Sequence, residues 1–207
     1  MTILDTISQH KIVGIVRLDD LSIAVDLARA LAAGGVRVIE FTLTNPDAVA
    51  AVEAVRHALG DEALIGAGSV ISVEQVRACA SAGAQFIVSP VTKADVIQAC
   101  VDRDLLTMPG ALTPSEVQLA WELGAGIIKV FPANMMAPRY IKDLLAPMPH
   151  LRLMPTGGVT VNNAKQYLDY GAFSLGVGSS LIDPVLVKNR DWAKMTEIAR
   201  EFSAIVS

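Results

Sequence analysis

Residues 36–66 of the chain read VRVIEFTLTNPDAVAAVEAVRHALGDEALIG and contain one complete strand–helix–strand unit. The two ends, Val36–Phe41 and Leu64–Gly66, are short apolar runs that predict buried strands. The middle, Pro46–Leu59, places its apolar residues at helical spacing. Continuous apolar strands joined by a helix are typical of a parallel sheet that helices cover on both faces.

The same unit recurs along the whole chain. Further strands are predicted at Ile12–Val16, Phe86–Ser89, Leu105–Met108, Ile127–Phe131, Leu151–Pro155 and Phe173–Val177, and further helices at Leu21–Ala33, Val73–Ala82, Lys93–Val101, Pro114–Leu123, Pro138–Leu145, Asn162–Tyr170 and Trp192–Ile205. Eight units of about 26 residues predict a closed (β/α)8 TIM barrel that forms a single domain over residues 1–207. An extra N-terminal helix, Thr2–His10, is expected to cover the bottom of the barrel. A doubly wound open sheet is the alternative.

Several polar residues stand where helix caps are needed. Ser72 precedes one predicted helix, Thr113 precedes the helix that starts at Pro114, and Thr44 with Asn45 precedes Pro46. Short polar side chains before a helix accept hydrogen bonds from its first free N–H groups. These residues therefore support the predicted helix starts.

Composition and charge exclude several classes of protein. Of the 207 residues 52% are hydrophobic and 18% charged, which is too apolar for a disordered chain and enough for one core. The net charge of −4 leaves no basic stripe, so neither nucleic acid nor membrane is an expected partner. No apolar run reaches the ~18 residues of a membrane span. Cys79 and Cys100 are expected to be reduced thiols within helices, and the chain is predicted to be cytoplasmic.

Lys129 lies inside the predicted strand Ile127–Phe131, unlike the other six lysines of the chain, which fall in helices, loops or at a strand entry. A fully buried ammonium costs several kcal/mol unless it is paired or neutral. A structural ion pair is one interpretation of this position. The other is a catalytic amine whose pKa is lowered by burial so that it attacks a carbonyl carbon.

Glu40 is a second charged residue within an apolar strand. Alternation places Val38, Glu40 and Thr42 on one face of that strand, which points into the barrel if the sheet closes. Glu40 and Lys129 would then meet at the mouth of the barrel. A carboxylate beside an amine suits imine chemistry, because one carboxylate can transfer protons both for dehydration and for the enamine that follows.

Two glycine clusters follow the last two predicted strands. They read Thr156-Gly157-Gly158-Val159 and Gly176-Val177-Gly178-Ser179-Ser180. In (β/α)8 barrels the loops after the seventh and eighth strands commonly bind phosphate, because glycine lets backbone N–H groups approach its oxygens. We therefore predict a phosphate site there, with the hydroxyl groups of Ser179 and Ser180 as further donors.

Other polar residues at strand ends are candidates for the remaining contacts. Arg17 follows the first strand and suits a carboxylate or phosphate, Ser69 follows the third, and Pro90 shapes the end of the fourth. His10 and His150 lie at the opposite end of the predicted barrel, and no His, Cys and Asp cluster has the spacing of metal ligands. Neither a metal nor another cofactor is expected.

Four motifs occur together in an order that identifies a family. Val38-Ile39-Glu40-Phe41-Thr42, Ile65-Gly66-Ala67-Gly68-Ser69-Val70, Ile128-Lys129-Val130-Phe131-Pro132-Ala133 and Met154-Pro155-Thr156-Gly157-Gly158-Val159, followed by Gly178-Ser179, span nearly the whole chain. The sequence resembles the bacterial 2-keto-3-deoxy-6-phosphogluconate and 2-keto-3-deoxy-6-phosphogalactonate aldolases. This resemblance implies a class I aldolase, usually a homotrimer, that releases pyruvate and glyceraldehyde 3-phosphate.

The resemblance also implies roles for individual residues. Lys129 matches the Schiff-base lysine, Glu40 the proton-transferring glutamate, and Ser69 a carboxylate-binding threonine. Gly157, Gly158, Gly178 and Ser179 match the phosphate-binding backbone, and Pro90 matches the proline of the fourth strand. Arg17 is expected to hold the carboxylate end together with Ser69, and Thr156 belongs to the expected substrate-binding set.

One departure bears on the choice of sugar. Many phosphogluconate aldolases carry Leu-Arg-Thr after the glutamate, whereas this chain reads Leu43-Thr44-Asn45-Pro46. The phosphogalactonate branch resembles it there and also has an arginine matching Arg17, as do some enzymes of mixed specificity. The epimer therefore stays open, as does 4-hydroxy-2-oxoglutarate. A sugar-phosphate isomerase or epimerase on the same barrel and a silent sugar-phosphate-binding protein are the other hypotheses.

Overall fold

The structure is a computed structural model that describes residues 2–206. Within this range the strands are β1 Ile12–Val16, β2 Val38–Thr42, β3 Leu64–Gly68, β4 Phe86–Val88, β5 Leu106–Met108, β6 Gly110–Ala111, β7 Ile128–Val130, β8 Leu153–Pro155 and β9 Leu175–Val177. The helices are α1 Ile3–His10, α2 Ala24–Ala33, α3 Ala48–Leu59, α4 Val73–Ser81, α5 Ala94–Val101, α6 Pro114–Glu122, α7 Tyr140–Leu145, α8 Val161–Asp169, α9 Pro184–Lys188 and α10 Trp192–Val206. None of the helices in this part of the chain is both long and apolar enough to cross a membrane.

All strand pairs are parallel, and the strands form two sheets. The first has six strands in the order β5-β4-β3-β2-β1-β9, and the second has three in the order β6-β7-β8. An isolated parallel bridge joins Thr156, after β8, to Gly176 in β9. The predicted α/β fold with parallel strands and intervening helices is confirmed.

The predicted strand Leu105–Met108 turned out to be the first half of a longer, broken strand. Pro109 separates β5 from β6, and its carbonyl accepts a hydrogen bond from the Lys129 N–H at 2.9 Å. Proline has no N–H for a sheet ladder, so the interruption falls at this residue. As a result β5 pairs with β4 in the large sheet, whereas β6 pairs with β7 in the small one.

The predicted N-terminal helix is confirmed as α1. Thr2 and Asp5 form a capping box at its start, and Ile7 on its inner face is fully buried. Ile7 belongs to a compact apolar cluster whose other buried members come from strands or the residues next to them: Val13, Val38, Phe86, Val88, Met108, Ile127 and Met154. This inner cluster packs between the strands and includes the inner face of α1. A second, larger cluster lies between the sheets and the outer helices.

Cys79 and Cys100 are free thiols inside α4 and α5, as predicted. Both side chains are buried, and burial raises the pKa of each thiol to about 11. They therefore stay protonated at neutral pH and pack as small apolar groups.

Candidate active site

Two charged side chains are buried, one on a strand of each sheet. Glu40, in the middle of β2, is 1% exposed, and Lys129, in the middle of β7, is 5% exposed. Val38 and Ile127, two residues earlier on each chain segment, belong to the inner apolar cluster. Strand alternation therefore directs Glu40 and Lys129 into the same interior, one layer nearer the ends of the strands. From the sequence we predicted that both side chains point into the barrel and meet at its mouth, and this meeting stays a prediction.

Burial shifts both groups toward neutrality, and the charge of each group on the other opposes that shift. Burial raises the pKa of the Glu40 carboxyl, against the opposing effect of the Lys129 and Arg17 charges, which lower it. Burial lowers the pKa of the Lys129 ammonium; Glu40 opposes this, and the Arg17 cation lowers it further. A lysine whose pKa is lowered carries a larger fraction of the neutral, nucleophilic amine.

Neither group is held in a structural ion pair. The ion pairs formed within residues 2–206 are all between exposed side chains: Lys93–Asp95, Arg139–Asp143, Lys165–Asp169 and Lys194–Glu197. Neither carboxyl oxygen of Glu40 accepts a hydrogen bond from this part of the chain. Lys129 Nζ lies 5.1 Å from the centre of the Phe131 ring, a cation–π distance. The amine and the carboxyl group therefore remain available to a third molecule.

Gly68 provides the space that the Glu40 carboxyl occupies. Its position on β3 is paired with Thr42, two residues beyond Glu40. A Cβ atom at position 68 would lie 2.6 Å from Glu40 Oε1 and 2.9 Å from its Cδ. A side chain at this position would have to displace the carboxyl group, so the glycine is required by packing.

A cavity of about 300 Å³ opens beside the buried pair. Its wall contains six of the predicted site residues, namely Arg17, Thr156, Gly157, Gly158, Gly178 and Ser179. The wall also includes Ile15, the register partner of Glu40, and Phe131, whose ring lies near the Lys129 amine. The cavity therefore adjoins the pair, although neither Glu40 nor Lys129 belongs to the wall itself.

Unpaired backbone donors are concentrated on this cavity. Within residues 2–206 the N–H groups of Gly157, Gly158, Gly178 and Ser179 donate to no other residue. Gly157 and Gly158 have φ values of 97° and 72°, a left-handed conformation that favours glycine. Free N–H groups from two loops around one cavity are suited to a phosphate group.

The two glycine loops are fixed by side-chain hydrogen bonds. Asn163 Nδ2 donates to the Gly158 carbonyl at 2.9 Å, and Ser180 Oγ donates to the Val159 carbonyl at 2.6 Å. The hydroxyl hydrogen of Ser180 is thus used to join the two loops, whereas we predicted it as a donor to phosphate. The loop after β8 also leads into α8, whose N-terminus carries Thr160 at its cap.

Ser69 and Pro90 follow β3 and β4 and lie outside the cavity wall. Ser69 has a left-handed φ of 58°, and a hydrogen bond from the Val70 N–H to the Val88 carbonyl joins the two strand ends. The structure therefore groups Ser69 with Pro90, and Arg17 with the glycine loops.

Sequence reasoning missed Thr160, Ile182 and Pro184 in the cavity wall, because they lie beyond the glycine motifs.

These features combine into a site for carbonyl chemistry on a phosphorylated molecule. A buried amine with lowered pKa adds to a carbonyl carbon, a buried carboxyl group nearby exchanges protons, and free N–H groups bind an anion. No three His, Cys, Asp or Glu side chains of the described part of the chain are grouped as metal ligands would be.

Comparison with known proteins points to the same chemistry. The sequence pattern of the KDPG and KHG aldolase family matches residues 3–198. A 2-dehydro-3-deoxy-phosphogluconate aldolase of Treponema pallidum is 32% identical over 100% of this chain and 98% of its own. A 2-dehydro-3-deoxy-6-phosphogalactonate aldolase of Escherichia coli is 39% identical over 71% of this chain and 72% of its own.

A solved structure of an aldolase is also similar to this chain. It is a KDPG aldolase from Legionella pneumophila with pyruvate captured at low pH as a covalent carbinolamine intermediate. It superimposes on this chain with a TM-score of 0.88 at 30% identity, and the match covers 95% of this chain and 96% of that one.

Proposed function

This chain belongs to the KDPG and KHG aldolase family of carbon–carbon lyases, and from that premise we propose how its own residues cleave the substrate. The proposed substrate is a 2-keto-3-deoxy-6-phospho sugar acid, and the products are pyruvate and D-glyceraldehyde 3-phosphate. The observation that carries the proposal is the buried Lys129 beside the buried Glu40, next to a cavity with free backbone N–H groups.

Lys129 is the proposed nucleophile. Its neutral amine adds to the C2 carbonyl carbon to give a carbinolamine, and loss of water leaves a protonated imine. The imine withdraws the electron pair of the C3–C4 bond while the C4 hydroxyl gives its proton to the Glu40 carboxylate. The aldehyde leaves, and an enamine of pyruvate remains on the lysine. Burial, which lowers the pKa of Lys129, supports this role because it increases the neutral fraction.

Glu40 is the proposed proton-transferring group. It donates a proton to the departing hydroxyl of the carbinolamine and later returns a proton to C3 of the enamine. Water then hydrolyses the resulting imine and frees pyruvate and Lys129. The raised pKa of Glu40 supports this role, because a carboxyl group that titrates closer to neutral pH both gives and accepts protons.

The remaining residues are proposed to hold the two ends of the substrate. Ser69 and Pro90 are assigned to the carboxylate end. Gly157, Gly158, Gly178 and Ser179 are assigned to the phosphate, as their free N–H groups suggest. Thr156 lies in the same wall and is assigned to the substrate chain between the two ends. The place of Arg17 beside the glycine loops favours a contact with the phosphorylated half over the carboxylate contact that we predicted.

We also propose that the two sheets are parts of one closed (β/α)8 barrel formed by residues 1–207. Two observations support closure: only Pro109 separates β5 from β6, and the bridge between Thr156 and Gly176 links β8 to β9.

The homotrimer and the cytoplasmic location stay predictions. The exposed side chains of Ile71 and Val91, on adjacent loops, offer apolar surface that contact between copies would bury.

The test is covalent trapping of pyruvate. Incubation with pyruvate and borohydride, followed by intact mass and peptide mapping, is expected to place a reduced pyruvyl adduct on Lys129. Lys129→Ala should remove both the adduct and turnover, whereas Lys165→Ala, which changes an exposed lysine paired with Asp169, should affect neither. A folded wild-type protein without an adduct would reject imine chemistry. Assays with both epimers of the sugar acid and with 4-hydroxy-2-oxoglutarate then identify the substrate.

A further inference from the structure

The guanidinium of Arg17 has no fixed partner of its own. Arg17 directly follows β1, is exposed and lines the cavity, and it forms no ion pair or hydrogen bond with residues 2–206. Long exposed side chains have many rotamers, so the position of such a group depends strongly on its backbone. Whatever fixes residues 16–19 therefore decides where this cation can reach.

Asn45 fixes that backbone from the neighbouring loop. Its side-chain Nδ2 donates two hydrogen bonds, to the Leu18 carbonyl at 3.0 Å and to the Asp19 carbonyl at 2.8 Å. These carbonyls belong to the first and second residues after Arg17. The bonds span 26 and 27 residues of sequence, so they connect the loop after β1 with the loop after β2.

Thr42 holds the same backbone on the other side of Arg17. Its Oγ1 donates to the carbonyl of Val16, the residue before Arg17, at 3.2 Å. Thr42 ends β2 two residues after Glu40, and it is 2% exposed. The backbone before Arg17 is thus attached to the strand that carries the buried carboxyl group, and the backbone after it to the loop that follows this strand.

All hydrogen-bonding atoms of the Asn45 amide are used. Its Oδ1 accepts from the Asp47 N–H at 2.8 Å, and the side chain is only 8% exposed. The oxygen therefore holds the turn before α3, and the nitrogen holds the loop after β1 that contains Arg17. A side chain that only capped the helix would need the oxygen alone, so the two N–H bonds require a separate explanation.

We propose that Asn45 is a positioning residue that holds Arg17 over the cavity, where Arg17 contacts the phosphorylated half of the substrate. This inference rests on the proposed function. It assigns to the segment Leu43-Thr44-Asn45-Pro46 a part in substrate selection, although none of its side chains lines the cavity. Asn45 acts through Arg17 and touches neither substrate nor the reacting atoms.

The decisive variant is Asn45→Asp. It keeps the shape of the side chain and the oxygen that accepts from Asp47, but it replaces the donor facing two carbonyls by an acceptor. In the condensation direction, the KM for glyceraldehyde 3-phosphate is expected to rise about tenfold, within the ~10²-fold that misplacement of a binding group can cost. The KM for pyruvate and the yield of the borohydride adduct on Lys129 should change less than twofold.

A double-mutant cycle with Arg17→Ala separates positioning from general damage. Arg17→Ala alone should raise the KM for glyceraldehyde 3-phosphate by at least tenfold. If Asn45 works through Arg17, Asn45→Asp added to Arg17→Ala should change this KM less than twofold. A further tenfold increase in the double variant, or no increase in either single variant, would overturn the inference.

Two more variants keep the test decisive. Thr42→Val removes the bond to Val16 together with the 2.9 Å hydrogen bond between the Thr42 and Thr44 hydroxyl groups, and it should raise the same KM. It replaces Asn45→Asp if that protein does not fold. Gln85→Ala is the matched control. Gln85 Oε1 accepts a hydrogen bond from the Ile65 N–H at 3.0 Å, which also connects segments far apart in the sequence, 20 residues in this case. Gln85 lies outside the cavity. It should leave both KM values unchanged; a change as large as that of Asn45→Asp would assign the effect to lost stability.

The experiment also distinguishes this inference from the proposed function. A wild-type protein that gives no pyruvyl adduct on Lys129 contradicts the proposed function. A wild-type protein that gives the adduct, together with an Asn45→Asp protein of unchanged KM, contradicts the positioning role alone. All KM values should be measured at a pH where the yield of adduct no longer rises with pH.

Discussion

The carboxyl group of Glu40 is buried without a hydrogen-bond donor from the described part of the chain. Such a group costs folding free energy, because an unsatisfied buried polar atom loses its contacts with water. Lys129 likewise lies in the interior with only an aromatic ring within cation–π distance. The buried Glu40 carboxyl group and Lys129 amine therefore contribute little to stability. A substrate that supplied their missing hydrogen bonds would explain why both groups are buried here.

Replacement of Glu40 by Gln should slow turnover about 10²–10⁴-fold, the usual contribution of general acid–base catalysis. The amide has nearly the same shape and cannot exchange the proton. Steady-state assays measure the rate, and the far-UV circular dichroism and thermal midpoint show whether the fold is kept. A loss smaller than tenfold would remove Glu40 from the proton-transfer role.

Arg17 should influence Lys129 through its charge as well as through contact. The Arg17 cation lowers the pKa of Lys129, so Arg17→Ala should raise that pKa and reduce the neutral fraction of the amine at a given pH. The acid limb of the pH profile for pyruvate trapping should therefore move to higher pH. Arg17→Lys retains the charge and should leave the limb close to that of wild type; a shift to lower pH in Arg17→Ala would contradict this account.

At the scale of elements, β2 and β3 are shaped around a single side chain. Their register places Glu40 opposite Gly66 and Thr42 opposite Gly68. A Cβ at position 66 would lie 2.5 Å from the Phe86 ring, so the first glycine admits a ring of the inner cluster. The second glycine admits the Glu40 carboxyl group. Gly66 thus makes room for a side chain of the inner apolar cluster, and Gly68 makes room for the Glu40 carboxyl group one layer further along.

Gly68→Ala should lower turnover at least tenfold without preventing folding. The new methyl group would lie within 3 Å of the Glu40 carboxyl group, which has to turn away from its position. Activity with the sugar acid and the thermal midpoint are the two measurements. Gly14→Ala is the matched control on β1, because its Cβ would meet the flexible end of Leu181 at 3.3 Å and no site residue. Equal losses in both variants would mean that the effect is not specific to Glu40.

Local signals in the sequence were sufficient for most elements. Ser72 and Thr113 form the capping boxes that start α4 and α6, as their positions predict. Alternation also placed Glu40 and Lys129 in one interior. The helix α9 was missed, although Asp183 caps it, because a five-residue helix is too short to show a periodic pattern.

The role of Asn45 could not be predicted from its surroundings in the sequence. Next to Pro46 it has the pattern of a helix cap, whereas its two N–H bonds go to residues in another loop. The same limit applies to Pro109, whose effect on strand pairing depends on which strands become its neighbours. Patterns within ten or fifteen residues do not contain such information, because it arises only when distant segments meet.

The groups that we propose to bind and to react lie on one side of the inner cluster. Glu40 and Lys129 lie one layer beyond that cluster, and the glycine loops follow β8 and β9. The proposed reacting groups are thus carried by strands, and the proposed anion-binding groups by the loops after β8 and β9. In the proposed function this division gives the amine and the carboxyl group fixed positions while substrate enters from solvent.

The predicted homotrimer has a direct test. Size-exclusion chromatography with light scattering should give a mass three times the 21.9 kDa of one chain, since the resemblance implies three copies. Dilution over a hundredfold range controls for weak association. A mass of one chain at all concentrations would contradict the prediction, whereas activity retained at the highest dilution would show only that the interface is tight.

The position of Ile7 has a consequence for the order in which the chain is made. This residue is synthesised long before Met108, Ile127 and Met154, which belong to the cluster that buries it. Helix α1 therefore lacks part of its final contacts until Met154 has been synthesised. Contacts over such distances in sequence make folding slow, and they leave α1 among the last elements to be fixed in place.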